Sequence, residues 1–176
     1  MRGQNARYDI VSIWLHWLTA GLIIALWLEA QIIDVFGHGP PEVYMRSLHI
    51  TLGAGFALVL TSRLLWRLIG ARPPKFAGND LMERAAHVTH YLLYALALII
   101  VVLGGLTVWM QGDSVWNLFT VPAYDPANTR ALSRLMRGWH GTAANAILIV
   151  AGLHAAAALV HHYLLRDDVL RRMLPR

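Results

Sequence analysis

Five histidines, His16, His49, His90, His140 and His154, stand inside or at the ends of long apolar runs. An imidazole is costly to place there unless it faces a partner, and it offers two chemistries, proton transfer and metal ligation. At 100° per residue on one helix, the 14 residues from His140 to His154 return to within about 40° of the same direction and rise about 21 Å. His161 follows seven residues later, about 20° off that direction. These three share one stripe of one helix, so two ligands on a single face, one near each end, could serve two stacked metal centres.

Four runs could carry such a stripe and its partners, at roughly 12–33, 47–69, 87–110 and 140–165. Each meets the ~20 residues that a ~30 Å apolar layer requires. The chain of 176 residues is 57% hydrophobic, above the usual 45–50% of soluble domains. Its mean hydropathy is +0.47. The expectation is an all-α membrane protein, a four-helix transmembrane bundle, with residues 1–176 as a single domain. The apolar run after Arg2 and Arg7 is too long for a signal peptide and lacks a small-residue cleavage pattern. Connectors are marked by Gly37-His38-Gly39-Pro40-Pro41, Arg72-Pro73-Pro74-Lys75 and Pro122 to Pro126, because proline cannot continue a helix. Residues 130–138 read as a short amphipathic helix leading into the fourth span.

The net charge of +5 follows membrane topology and not nucleic-acid binding. Arg2, Arg7, Arg63, Arg67, Arg72, Lys75, Arg84, Arg166, Arg171, Arg172 and Arg176 fall on one side, and Arg46, Arg130, Arg134 and Arg137 on the other. The positive-inside rule places both termini in the cytoplasm. Trp14, Trp17, Trp109, Trp116 and Trp139 lie near span ends, as interfacial belts require.

With that topology His49 and His140 both begin their spans at the outer side, while His16 and His154 lie toward the cytoplasm. The pairs His49/His140 and His16/His154 can each clamp one metal from opposite helices, and haem with two axial histidines suits such a bundle. His154 lies deeper than His16, so His90 is a reserve ligand at that level. Any one of these histidines taken alone reads equally well as an interhelical hydrogen-bonder. His38 reads as a solvated loop residue, and His87 and His162 as boundary residues near lipid headgroups. With no cysteine in the chain, disulfides, iron–sulfur clusters and covalent haem attachment are excluded. Gly53, Gly141, Gly152 and Ala155 to Ala158 flank the histidines; they could admit a flat macrocycle or simply allow close helix packing.

Two arginine groups add to the pattern. Arg63 is 14 residues after His49, near the same face, with Arg67 one turn beyond; they could pair with haem propionates or snorkel to the interface. Arg130, Arg134 and Arg137 share one face just before Trp139-His140. That face could gather a small anion, lie on anionic lipid, or be plainly solvated.

Ser12-Ile13-Trp14-Leu15-His16-Trp17, Leu48-His49-Ile50, Trp139-His140 and, above all, the stretch from Gly152 to Tyr163 with His154, His161 and His162 resemble the bacterial cytochrome b561 family over nearly the whole chain. The resemblance implies a multi-pass protein of the bacterial inner membrane, with two non-covalent haem b groups and His16, His49, His140 and His154 as axial ligands. It implies oxidation of periplasmic superoxide and reduction of ubiquinone, an oxidoreductase activity. Within that scheme Arg130, Arg134 and Arg137 would steer superoxide, and His161, with Ser12, would hydrogen-bond the quinone. The family also contains cytochrome b subunits that relay electrons between quinone and a partner hydrogenase or dehydrogenase, so a partner redox subunit is the alternative. A metal-ion or proton transporter built on the same histidines would be colourless.

Overall fold

The computed structural model describes residues 7–33, 35, 39–70, 80–124 and 130–175. His38 and residues 72–75 and 125–126, which the sequence assigns to connectors, lie outside the described residues. Four helices make the bundle: α1 (Ile10–Ile33), α2 (Pro40–Ile69), α3 (Asp80–Gln111) and α4 (Arg130–Tyr163). All four are long and apolar enough to cross a membrane. Large apolar side chains face outward on every one, among them Ile24 at 53%, Leu58 at 70%, Val102 at 57% and Ile149 at 66% exposure. Such surface suits lipid and not water.

α1 and α2 run antiparallel, as the contacts Asp9–Trp66, His16–Arg63 and Glu29–His49 show. α3 and α4 do the same through His90–His154, Ile100–His140 and Gln111–Ser133. The start of α1 and the end of α4 therefore lie at one end, here the terminal end. There the Tyr8 backbone N–H donates to the Arg172 carbonyl (3.3 Å), and Trp17 Nε1 donates to the Met173 carbonyl (2.7 Å). At mid-height Phe56, Leu60, Ala97 and Ile147 form the buried core. Ile147 lies midway between His140 and His154, so this apolar layer separates two histidine levels.

Helix bounds depart from the sequence expectation in three places. α2 begins at Pro40, seven residues before the expected start, because Pro40 and Pro41 occupy its first turn, where no intrahelical N–H bond is lost. α3 begins at Asp80. α4 runs unbroken from Arg130, absorbing the separate short helix expected at 130–138, and stops at Tyr163; no proline interrupts it.

At the distal end, in the connector between α3 and α4, lies a short ribbon, β1 (Ser114–Val115) paired with β2 (Phe119–Thr120), for which the sequence pattern carries no signal. Its turn holds Trp116 and Asn117 at φ 55° and 56°, the hand that matches strand twist. The fully buried Ser47 hydroxyl accepts from the Trp116 backbone N–H (2.8 Å), and Trp116 Nε1 donates to Thr51 Oγ1 (2.9 Å), pinning the ribbon to α2.

Candidate functional site

The bundle brings the histidines together in two pairs. At the distal level the rings of His49 on α2 and His140 on α4 lie 6.1 Å apart, centroid to centroid. At the terminal level those of His16 on α1 and His154 on α4 lie 6.3 Å apart. Two imidazoles holding one metal from opposite sides, at about 2 Å from each nitrogen, separate their centroids by about 6 Å. The His90 ring is closer to His154, at 5.3 Å, tighter than that arrangement.

Each level is braced differently. His140 Nδ1 lies 3.0 Å from the Ile100 carbonyl. A carbonyl only accepts, so Nδ1 carries the proton and Nε2 keeps its lone pair for a metal. One turn further along α3, a Cβ on Gly104 would sit 3.1 Å from His140 Cε1 and 3.4 Å from Nδ1, so any side chain there obliges that ring to give by a few tenths of an ångström. Gly53, Gly141 and Gly152, the small residues noted beside the histidines, have nothing within 4 Å of such a Cβ. The close contact belongs to Gly104. Replacing Gly104 with Val is expected to push His140 aside and cut bound haem per chain to about half, because the ring's bracing is lost with its position. Gly105→Ala, where a Cβ meets nothing within 4 Å, is the control and should keep full haem by pyridine haemochrome assay.

His49 Nδ1 meets the carboxylate of Glu29 at 2.5 Å, and Glu29 is only 9% exposed. Its other oxygen, Oε1, is buried with no partner. At the terminal level Arg63 Nη2 stands 3.0 Å from His16 Nδ1, and its guanidinium lies over the Tyr94 ring at 5.3 Å. A guanidinium only donates, so in this geometry Nδ1 accepts and the ring's proton sits on Nε2; to ligate a metal through Nε2, His16 must release that bond and Arg63 must turn to another acceptor, such as a propionate. Arg67 lies over the same ring at 5.5 Å. Both arginines proposed for propionates thus stand at the level of His16 and His154.

Below that level, His161 Nδ1 meets Asp167 Oδ2 at 2.5 Å. Burial pushes the Asp167 carboxyl up, but bonds from His161 and the Val169 N–H outweigh it and hold it below the usual carboxylate range. The Ser12 hydroxyl donates to Asp9 Oδ2 (2.6 Å), while Asp9 Oδ1 accepts from the Ser12 N–H and from Trp66 Nε1, both at 2.9 Å. His162 Nδ1 is buried without a partner, and exposed His87 lies 3.7 Å from Glu83.

At the distal end Arg130, Arg134 and Arg137 are all exposed on α4. Arg137 donates to Gln111 Oε1 (2.8 Å), a group it shares with Arg46 (3.0 Å), which also pairs with Asp113 (2.8 Å). The sequence had not singled out Glu29, Gly104, Asp167 or Arg46. Glu29 alone was legible, as the one acidic residue inside the four apolar runs 12–33, 47–69, 87–110 and 140–165.

Opposed imidazole pairs suit a metal whose remaining ligands come from a macrocycle. Among the described residues no group of three or more His, Cys, Asp or Glu side chains could hold a bare ion. With no thiol for covalent attachment, the donor set fits haem b. Four spanning helices around such pairs define a membrane electron carrier of the b-cytochrome class. The sequence profile of prokaryotic cytochrome b561 matches residues 7–176, and the chain belongs to that family. Its relatives include the probable superoxide oxidase CybB of Yersinia pestis, 31% identical with 98% of each chain covered. They also include cytochrome b561 homolog 2 of Escherichia coli strain K12, 32% identical over 96% of this chain and 91% of that one. Cytochrome b562 of Cereibacter sphaeroides is 28% identical, with 97% of each chain covered. A bacterial family and four apolar spans make this a multi-pass inner-membrane protein.

Proposed function

We propose that the protein holds two haem b groups, oxidises superoxide at the distal end and reduces ubiquinone at the terminal end. The observation that carries this is the recurrence of one spacing, 6.1 and 6.3 Å, in two imidazole pairs about 21 Å apart along α4. His49 and His140 would hold the distal haem, and His16 and His154 the terminal one, with Arg63 and Arg67 near enough to meet its propionates. When bound, haem supplies a one-electron carrier at each level.

The chain's own residues frame the two half-reactions. Two superoxide anions each give up one electron and leave as oxygen; no proton is needed. The exposed arginines of α4 would draw the anion toward Trp139 and His140. The excess of Lys and Arg at the terminal end supports placing it in the cytoplasm, so the distal end faces the periplasm. Ubiquinone takes two electrons and two protons to become the quinol. Asp167 would hold His161 by its Nδ1–H and orient the ring toward the quinone. Ser12, whose hydroxyl proton goes to Asp9, would contribute its oxygen as an acceptor for the quinol.

Mixing superoxide with the purified, oxidised protein in a stopped-flow instrument tests this. The expected result is rapid appearance of the reduced haem spectrum, followed by quinone-dependent reoxidation that slows in Asp167→Asn. Haems that ignore superoxide, in protein that co-purifies with a hydrogenase or dehydrogenase, would replace this function with electron relay for that partner.

A further inference from the structure

The two imidazole pairs are backed by opposite charges. Glu29 lies against His49 at the distal level, and Arg63 lies against His16 at the terminal level. The carboxylate of Glu29 is not what packing asks of its position. An apolar side chain would fill Glu29's place in α1 without the cost of a buried carboxylate whose Oε1 has no partner. An acidic side chain inside a span marks a functional site, and its charge acts most strongly on the ring it meets, His49. At the same level His140 is backed by the neutral Ile100 carbonyl, so Glu29 supplies the local charge.

A negative charge beside a metal ligand favours the metal's more positive, oxidised state, and a positive charge favours the reduced state. Both effects are strong where dielectric is low. Arginine keeps its charge in any protein setting, and a carboxylate that accepts an imidazole N–H raises that ligand's basicity further.

We propose that Glu29 and Arg63 are positioning residues that set the two haem potentials apart, Glu29 holding the distal centre low and Arg63 holding the terminal centre high. Electrons arriving at the distal end then run downhill to the terminal end, so the direction of transfer is written in two side chains behind the ligands. This inference rests on the two-haem reading given above.

Redox titration of the purified holoprotein, with haem counted per chain, tests the two separately. A count other than two haems per chain removes the premise; the potentials read the proposal. Glu29→Gln keeps the shape and the hydrogen-bond acceptor but removes the charge. It is expected to raise one potential by a factor of about ten in the reduction equilibrium, 59 mV for one electron, and to leave the other in place. In a His154→Ala background, which leaves only the distal centre, the same shift should appear in the single remaining potential. Arg63→Gln is expected to lower the other potential by a similar factor. Two haems retained with both potentials unmoved in Glu29→Gln and Arg63→Gln would overturn the proposal. Should Glu29→Gln shed its distal haem, Glu29→Asp, which keeps the charge, must return the wild-type pair of potentials. A raised distal potential in that variant would equally overturn it.

Discussion

Replacing His140 with Ala should strip haem from the distal level alone, and replacing His154 should strip it from the terminal level alone. Each variant is expected to retain about half the wild-type Soret absorbance per chain and the double variant close to none, since metal affinity falls steeply when a first ligand is removed. The two sites are about 21 Å apart along α4, with Phe56, Leu60, Ala97 and Ile147 between them, so the losses should add. The terminal level carries a sharper question. His16 stands 6.3 Å from His154 and His90 stands 5.3 Å from it. The first spacing matches the 6.1 Å of the distal pair, so His16→Ala should behave like His154→Ala, while His90→Ala should keep both haems. Haem surviving loss of both His140 and His154 would dismantle the site.

The second large effect concerns the arginine face of α4. Changing Arg130, Arg134 and Arg137 together to Gln is expected to slow reduction by superoxide about tenfold at low salt, the lower part of the range for steering by a charged mouth. The difference should shrink as ionic strength rises, because the screening length falls from about 30 Å at 0.01 M to about 10 Å at 0.1 M. Haem content should not change. Arg137 is one turn before His140, and its guanidinium donates to Gln111. Arg46, on the same Gln111, is neutralised by Asp113 and makes a weaker contribution to the field. Equal rates for wild type and triple variant across the salt series would return the face to an interfacial or solvated role.

Apolar run length was enough to place all four helices, and helical period to propose the stripe of histidines on the fourth. Those are local quantities: a 3.6-residue repeat and a length set by the bilayer act on each segment by itself. The same logic misjudged helix starts. Pro40 and Pro41 read as breakers when they open α2, because a proline's effect depends on which turn it occupies. The run 130–138 read as a separate element when α4 passes straight through it.

The partners of the imidazoles were beyond the sequence. Which carboxylate meets His49, which carbonyl orients His140 and which glycine gives that ring room depend on how α1 lies on α2 and α3 on α4. Glu29 and His49 are 20 residues apart in the chain, and Ile100 and His140 are 40 apart. Gly104 looks like any small residue of a membrane helix until His140 is seen 3.1 Å from where its Cβ would be. Sequence periodicity put His140, His154 and His161 on one face of one helix, since that is a property of a single segment, but it left His16 and His154 at unequal depths, where the packed helices bring their rings to 6.3 Å. Only the packing of helix on helix decided what stands behind each ring, since that depends on contacts no single segment encodes.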